Sequence, residues 1–134
     1  MAAVELQDAI VLEHLHAVGV ELTSEWDALV FLYHHSASLG SAAHIARFIG
    51  YDKTETGAAL RKLEALGLIE RSRVSHGIRI FRFSAPPEPG RHSNLVALIA
   101  MGQDRAGRLL LLKHLQIPRQ GSRRRPDGRG LSLA

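Results

Sequence analysis

The chain has 134 residues, 46% of them hydrophobic, which suffices for one domain with a buried core. It contains no cysteine, which excludes disulfides, zinc–thiolate sites and thiol catalysis and fits a reducing, cytoplasmic setting. The formal charge of +4 is unevenly spread: residues 1–52 carry one basic residue, Arg47, against seven acidic ones, whereas residues 53–134 carry 16 basic against six acidic. This is the layout of a scaffold with a polyanion-facing half. The start, Met1-Ala2-Ala3-Val4-Glu5, lacks the basic segment of a signal peptide, and the apolar runs are broken short of a membrane span, so no membrane partner is expected.

Residues 3–18 place Val4, Ile10, Val11, Leu12, Leu15 and Val18 between charges, the pattern of an amphipathic helix stopped by Gly19. Thr23 or Ser24 can cap a second helix with Trp26, Leu29, Val30, Leu32 and Tyr33 on its apolar face, broken at Ser36–Gly40. Trp26 and Tyr33, seven residues apart, share a face and read as core. Ser41 caps a helix of two turns that buries Ile45, Ala46 and Ile49 and stops at Gly50. Asp52 followed by Glu55 resembles a capping box and opens a helix to about Leu66, with Gly67 as its left-handed terminator. Residues 69–74 and 78–84 flank Ser75-His76-Gly77 as a hairpin, and Pro86, Pro87, Pro89 and Gly90 read as a stiff connector. Ser93 or Asn94 then caps a last helix over about 94–116, in which Gly102 and Gly107 can mark a bend. Its run Leu109-Leu110-Leu111-Leu112 covers more than one face, more than a surface helix of a monomer needs. The basic, proline- and glycine-rich end from Ile117 has little to bury and reads as disordered when free.

Short helix, turn, capped helix and arginine-bearing hairpin follow one another over residues 41–83. Within 53–66, Thr56, Ala59, Leu60 and Leu63 fall on one face and must pack inward. The opposite stripe is Thr54, Gly57, Ala58 and Arg61, with Lys53 in the first turn. A helix that reads DNA needs such an exposed stripe, because those side chains meet base edges or phosphates. Lys53, beside the positive end of the helix dipole, suits a phosphate, and Arg61 is long enough for a guanine edge or a phosphate. On the hairpin, Arg71 and Arg73 share a face, Arg79 and Arg82 lie on the return strand, and His76 sits at the tip. Phe81 and Phe83 point inward, and a ribbon so charged suits phosphates or a minor groove.

Ala46, Leu60, Leu63-Glu64, Gly67-Leu68-Ile69-Glu70-Arg71 and Phe81-Arg82-Phe83-Ser84 resemble the winged-helix domain of MarR-type transcriptional regulators. The lead-in from Leu22 to Leu29 is similar to the helix preceding the reading pair in that family. The resemblance implies a mainly α fold with a small β-hairpin, a winged helix-turn-helix flanked by N- and C-terminal dimerisation helices. It implies a dimerisation helix over 1–20, a winged-helix DNA-binding domain over 21–90, a C-terminal dimerisation helix over 91–116 and a basic tail over 117–134. The implied partners are double-stranded DNA with a near-palindromic operator, a second copy of the chain and a small-molecule effector. The chain departs from the family at Gly57 and Ala58, where longer polar side chains are usual.

Of the eight histidines, His34 and His35 suit an effector contact near the hinge between dimer helices and reading module. Their spacings match no chelating motif, and no nucleophile–base pair, phosphate loop or paired carboxylate stands out. The chain therefore reads as a non-enzyme without cofactor or metal. Two further readings stay open: a winged-helix protein-interaction module with a reduced DNA face, and a nonspecific nucleic-acid binder using Arg123-Arg124-Arg125. Deletion of residues 117–134 abolishes binding only in the last.

Overall fold

A computed structural model of the chain describes residues 2–35, 40–72 and 78–117. Helix α1 spans Ala2–Val18 and ends at Gly19, whose φ of +97° closes the helix as anticipated. Val11, Leu15 and Val18 are buried at helical spacing, whereas Leu12 is 50% exposed. Gly19 is further fixed by packing: a Cβ there would lie 2.6 Å from Leu66 Cδ2.

Helix α2 spans Thr23–His34 and buries Trp26, Ala28, Leu29 and Leu32. Its cap is Leu22, not Thr23 or Ser24. The reason is a carboxylate from inside the helix: Glu25 Oε1 accepts the amides of Glu21 and Leu22 at 2.9 and 3.2 Å. The Thr23 amide is meanwhile taken by the Gln116 carbonyl at 2.9 Å. Strand β1, Gly40–Ser41, then leads into α3, Ala42–Ile49, which Ser41 caps and Gly50 closes at φ +84°.

Helix α4 spans Lys53–Ala65. It ends in a Schellman turn: the Leu68 amide bonds the Leu63 carbonyl, the Gly67 amide bonds Glu64, and Gly67 has φ +77°. Leu63 and Leu68, joined by that turn, are both fully buried. Strands β2, Ile69–Arg71, and β3, Ile80–Phe83, pair antiparallel with Ile69 opposite Phe83 and Arg71 opposite Phe81. Residues 73 and 74 of the predicted 69–74 strand and the turn after them lie outside the described residues, and the return strand is Ile80–Phe83 within the predicted 78–84. The sheet also has three strands, in the order β1-β3-β2, rather than two. Gly40 and Ser41 pair with Phe81 and Ile80, which ties the start of α3 to the hairpin.

The C-terminal part differs most from expectation. Instead of one helix over 94–116 capped by Ser93 or Asn94, there are α5, Pro89–Met101, and α6, Arg105–Lys113. Pro89 begins α5 rather than ending the connector, since proline at the first position of a helix loses no hydrogen bond. Gly90 therefore lies within α5. The break follows Gly102, where Asp104 caps α6 by accepting the Gly107 amide at 2.7 Å. Arg91 in α5 donates to the Ala17 and Val18 carbonyls at 3.2 and 2.8 Å, capping the end of α1.

The core is continuous from α1 and α5 through α2 to α4, with Leu95, Leu98 and Leu111 contributed by the C-terminal helices. Of the four consecutive leucines only Leu111 is fully buried, and Leu109 is 56% exposed. Near the middle of α1, Asp8 bonds His114 Nε2 at 2.8 Å and Lys113 Nζ at 3.3 Å. The His114 hydrogen bond, followed by Lys113, outweighs desolvation and holds the Asp8 carboxyl below the usual aspartate range. A depressed carboxylate contributes stability above its unfolded value and loses it as pH falls through the folded value. Urea midpoints measured from pH 6 down to pH 3 should fall less in Asp8→Asn than in the parent chain. Parallel profiles would remove Asp8 from the acid response.

Candidate nucleic-acid interface

The turn between α3 and α4 sets the direction of the exposed helix. Asp52 Oδ1 accepts the Glu55 amide at 2.7 Å, half of the expected box. The reciprocal bond from the Glu55 carboxylate is not formed among the described residues, and Glu55 is buried. One residue earlier, the Tyr51 hydroxyl donates to Asp27 Oδ2 at 2.8 Å and lies 3.1 Å from the Thr23 hydroxyl. Burial raises the Asp27 pKa against the Tyr51 hydrogen bond and the Arg108 charge. Burial, reinforced by Asp27, also raises the Tyr51 phenol. Lys62 on the inner side of α4 pairs with Glu21 at 2.9 Å and approaches Glu25 at 3.8 Å. Tyr51 and Lys62 thus fasten both ends of α4 to α2 and the turn before it. Neither carries a sequence signal, because each acts across more than 20 residues.

Thr56, Ala59, Leu60 and Leu63 are buried, each no more than 1% exposed. On the other side Lys53, Thr54 and Arg61 are exposed, and Gly57 and Ala58 are half-buried. The bare position is used locally: the Arg61 guanidinium lies over Gly57, so a Cβ there would meet Arg61 Nη1 at 3.6 Å. Arg61 and Lys53 are therefore the two long donors of the face, at either end of a small-residue stretch.

The hairpin is less free in its charge than its composition suggests. Arg71 Nε pairs with Glu64 Oε2 at 3.0 Å, and Arg82 pairs across the strands with Glu70 at 3.0 Å. Both pairs are exposed, where such bridges are worth about 0–1 kcal/mol, so a phosphate can displace them. Ile78 and Arg79 are exposed at the start of the return strand, Ile78 at 51%. Phe81 is buried, and Phe83 meets Tyr33 edge-on at a centroid distance of 5.0 Å. Arg73 and His76 lie outside the described residues.

His34 and His35 sit apart from this face, at the end of α2. The Gln103 amide donates to His34 Nε2 at 3.1 Å, and His35 Nδ1 donates to the Phe31 carbonyl at 2.8 Å. Two cavities flank the helix here, of about 310 and 350 Å³, and His34 lines both. Among the described residues no three His, Asp or Glu side chains converge as metal ligands, and no helix is long and apolar enough to cross a membrane.

A packed helix pair, an outward-facing second helix and a β-hairpin behind it make this a winged helix-turn-helix. Residues 18–79, which hold α2, α3, α4 and β2, match the sequence profile of the MarR family, and the match supports a MarR-type regulator. Neither a curated protein nor a solved structure matches the chain.

Proposed function

We propose that the chain binds double-stranded DNA as a homodimer on a near-palindromic operator, in the cytoplasm, with α4 in the major groove and the hairpin along the adjacent backbone. The observation that carries this reading is the two-faced α4, sealed against the core on one side and presenting Lys53, Thr54 and Arg61 on the other. Arg79, together with Arg71 once Glu64 is displaced, supplies the flanking positive charge. Ile10, Leu12, Val96 and Leu109 are 36, 50, 40 and 56% exposed, and these apolar side chains favour residues 1–20 and 91–116 as the dimer-forming parts around a 21–90 reading module. A small-molecule effector belongs to the cavities beside His34 and His35.

Three basic groups per protomer, Lys53, Arg79 and the released Arg71, meet about six phosphates in a dimer. Affinity for a selected duplex should then fall on the order of 10³-fold between about 50 and 200 mM salt. Its footprint should show two half-sites about one helical turn apart. Unchanged mobility of every duplex at low salt overturns the reading. Gly57 and Ala58 favour one other reading, a protein-interaction module; it requires a defined protein partner that survives nuclease treatment while no duplex is bound.

A further inference from the structure

The two cavities beside α2 share Asp27, Val30 and His34 but differ in charge. The one toward α5 and α6 contains Arg108 with Trp26 and Gln103. The other, a groove of about 350 Å³ between α2 and α3, contains no lysine or arginine; Asp27 is its one carboxylate among the described residues. Its walls are rings. Phe31 and Phe48 lie 4.6 Å apart, His35 stacks on Phe31 at 4.5 Å, and His35 meets Phe48 at 5.7 Å. The His35 ring is fixed by its bond to the Phe31 carbonyl, whereas Phe48 is 63% exposed, an unusual position for a phenylalanine.

We propose that this α2–α3 groove binds a small organic cation, a protonated primary amine bearing an aromatic or alkyl group, with Asp27 as its counter-ion and Phe31 and Phe48 as its apolar walls. Asp27 offers an acceptor for it: Oδ2 is taken by Tyr51, and Oδ1 has no hydrogen-bond partner among the described residues. Burial disfavours the bare carboxylate, and an ammonium group removes that disadvantage by pairing with it. Exposed ring faces attract the same charge through their quadrupoles, while the alkyl or aryl part covers Phe48. An anion is directed to the other cavity by Arg108. The groove is also joined to the reading helix, because the carboxylate that receives the ammonium holds Tyr51, which immediately precedes the α4 cap Asp52. The proposal rests on the regulator reading and deepens it by giving the effector a chemical class.

The test titrates the full chain with 2-phenylethylammonium, followed by NMR, beside the neutral 3-phenylpropan-1-ol and the anionic 3-phenylpropanoate. The cation should saturate with a dissociation constant on the order of 1 mM, as expected for a fragment of this size. The alcohol and the carboxylate should bind at least about tenfold more weakly. Asp27→Asn keeps an acceptor for Tyr51 and should weaken the cation about tenfold. Phe48→Ala, which removes a ring that is 63% exposed, should weaken it about threefold or more. No saturation by the cation, equal binding of the alcohol, or full affinity in both variants overturns the proposal. Duplex binding without any amine is measured on the same samples: its presence keeps the regulator reading even where the cation fails, and its absence removes that reading independently.

Discussion

Gly107→Ala is expected to destabilise the chain by about 3 kcal/mol, the upper end of what overpacking costs. A Cβ at Gly107 would lie 1.8 Å from the Met101 carbonyl oxygen and 2.8 Å from its carbon. Both are backbone atoms, so no rotamer change relieves the clash. The contact exists because α6 begins directly over the end of α5. Its first turn is drawn in by Asp104, whose Oδ1 takes the Gly107 amide and would itself be 3.1 Å from the new methyl. Relief requires moving α6 away from α5, and with it Leu111, which is fully buried in the shared core. Gly90→Ala is the control: it lies in the first turn of α5 with nothing within 4 Å of its Cβ, and should change stability by no more than about 0.5 kcal/mol, in the stabilising direction. Urea denaturation of both variants makes the comparison. Equal midpoints would mean that α6 does not cross α5 at this glycine.

What the sequence made legible was local. Ser41, Gly50, Asp52 and Gly67 each act within four residues of their own position, and each caps or closes a helix where it was expected to. Periodicity likewise separated the buried face of α4 from the exposed one. The misses share a different cause. Strand β1 is two residues long and exists only because Gly40 and Ser41 meet β3 some 40 positions later, so no alternation announces it. The α5–α6 break falls at Gly102, one of the two glycines expected to mark a bend, but the leucine-rich pattern continuous in sequence pointed to one helix there rather than two, and Pro89 looked like a terminator although it starts a helix. At the interface, the exposed stripe was readable, but the pairing of Arg71 with Glu64 was not, because it crosses the Schellman turn and depends on where that turn delivers β2. The charge available to a polyanion is therefore lower at rest than a count of arginines implies.

That difference decides how α4 and the hairpin should divide their work. Arg61→Ala is expected to lower discrimination between the selected duplex and a scrambled one by about 1–3 kcal/mol, because Arg61 is the long donor on the exposed face beyond the first turn of α4. Lys53→Ala, at the helix start, should weaken all duplexes alike and reduce the salt slope by about one per protomer, as loss of a phosphate contact does. Arg79→Ala on the hairpin should behave like Lys53→Ala. Folding should be unaffected in all three, since each side chain is exposed. Fluorescence anisotropy at several salt concentrations, on both duplexes, separates these outcomes. Should Arg61→Ala weaken both duplexes equally, Arg61 is a phosphate contact, and with Gly57 and Ala58 offering no side-chain donor or acceptor, selectivity must come from Thr54 or from DNA shape. Should none of the three change binding, α4 does not enter the groove.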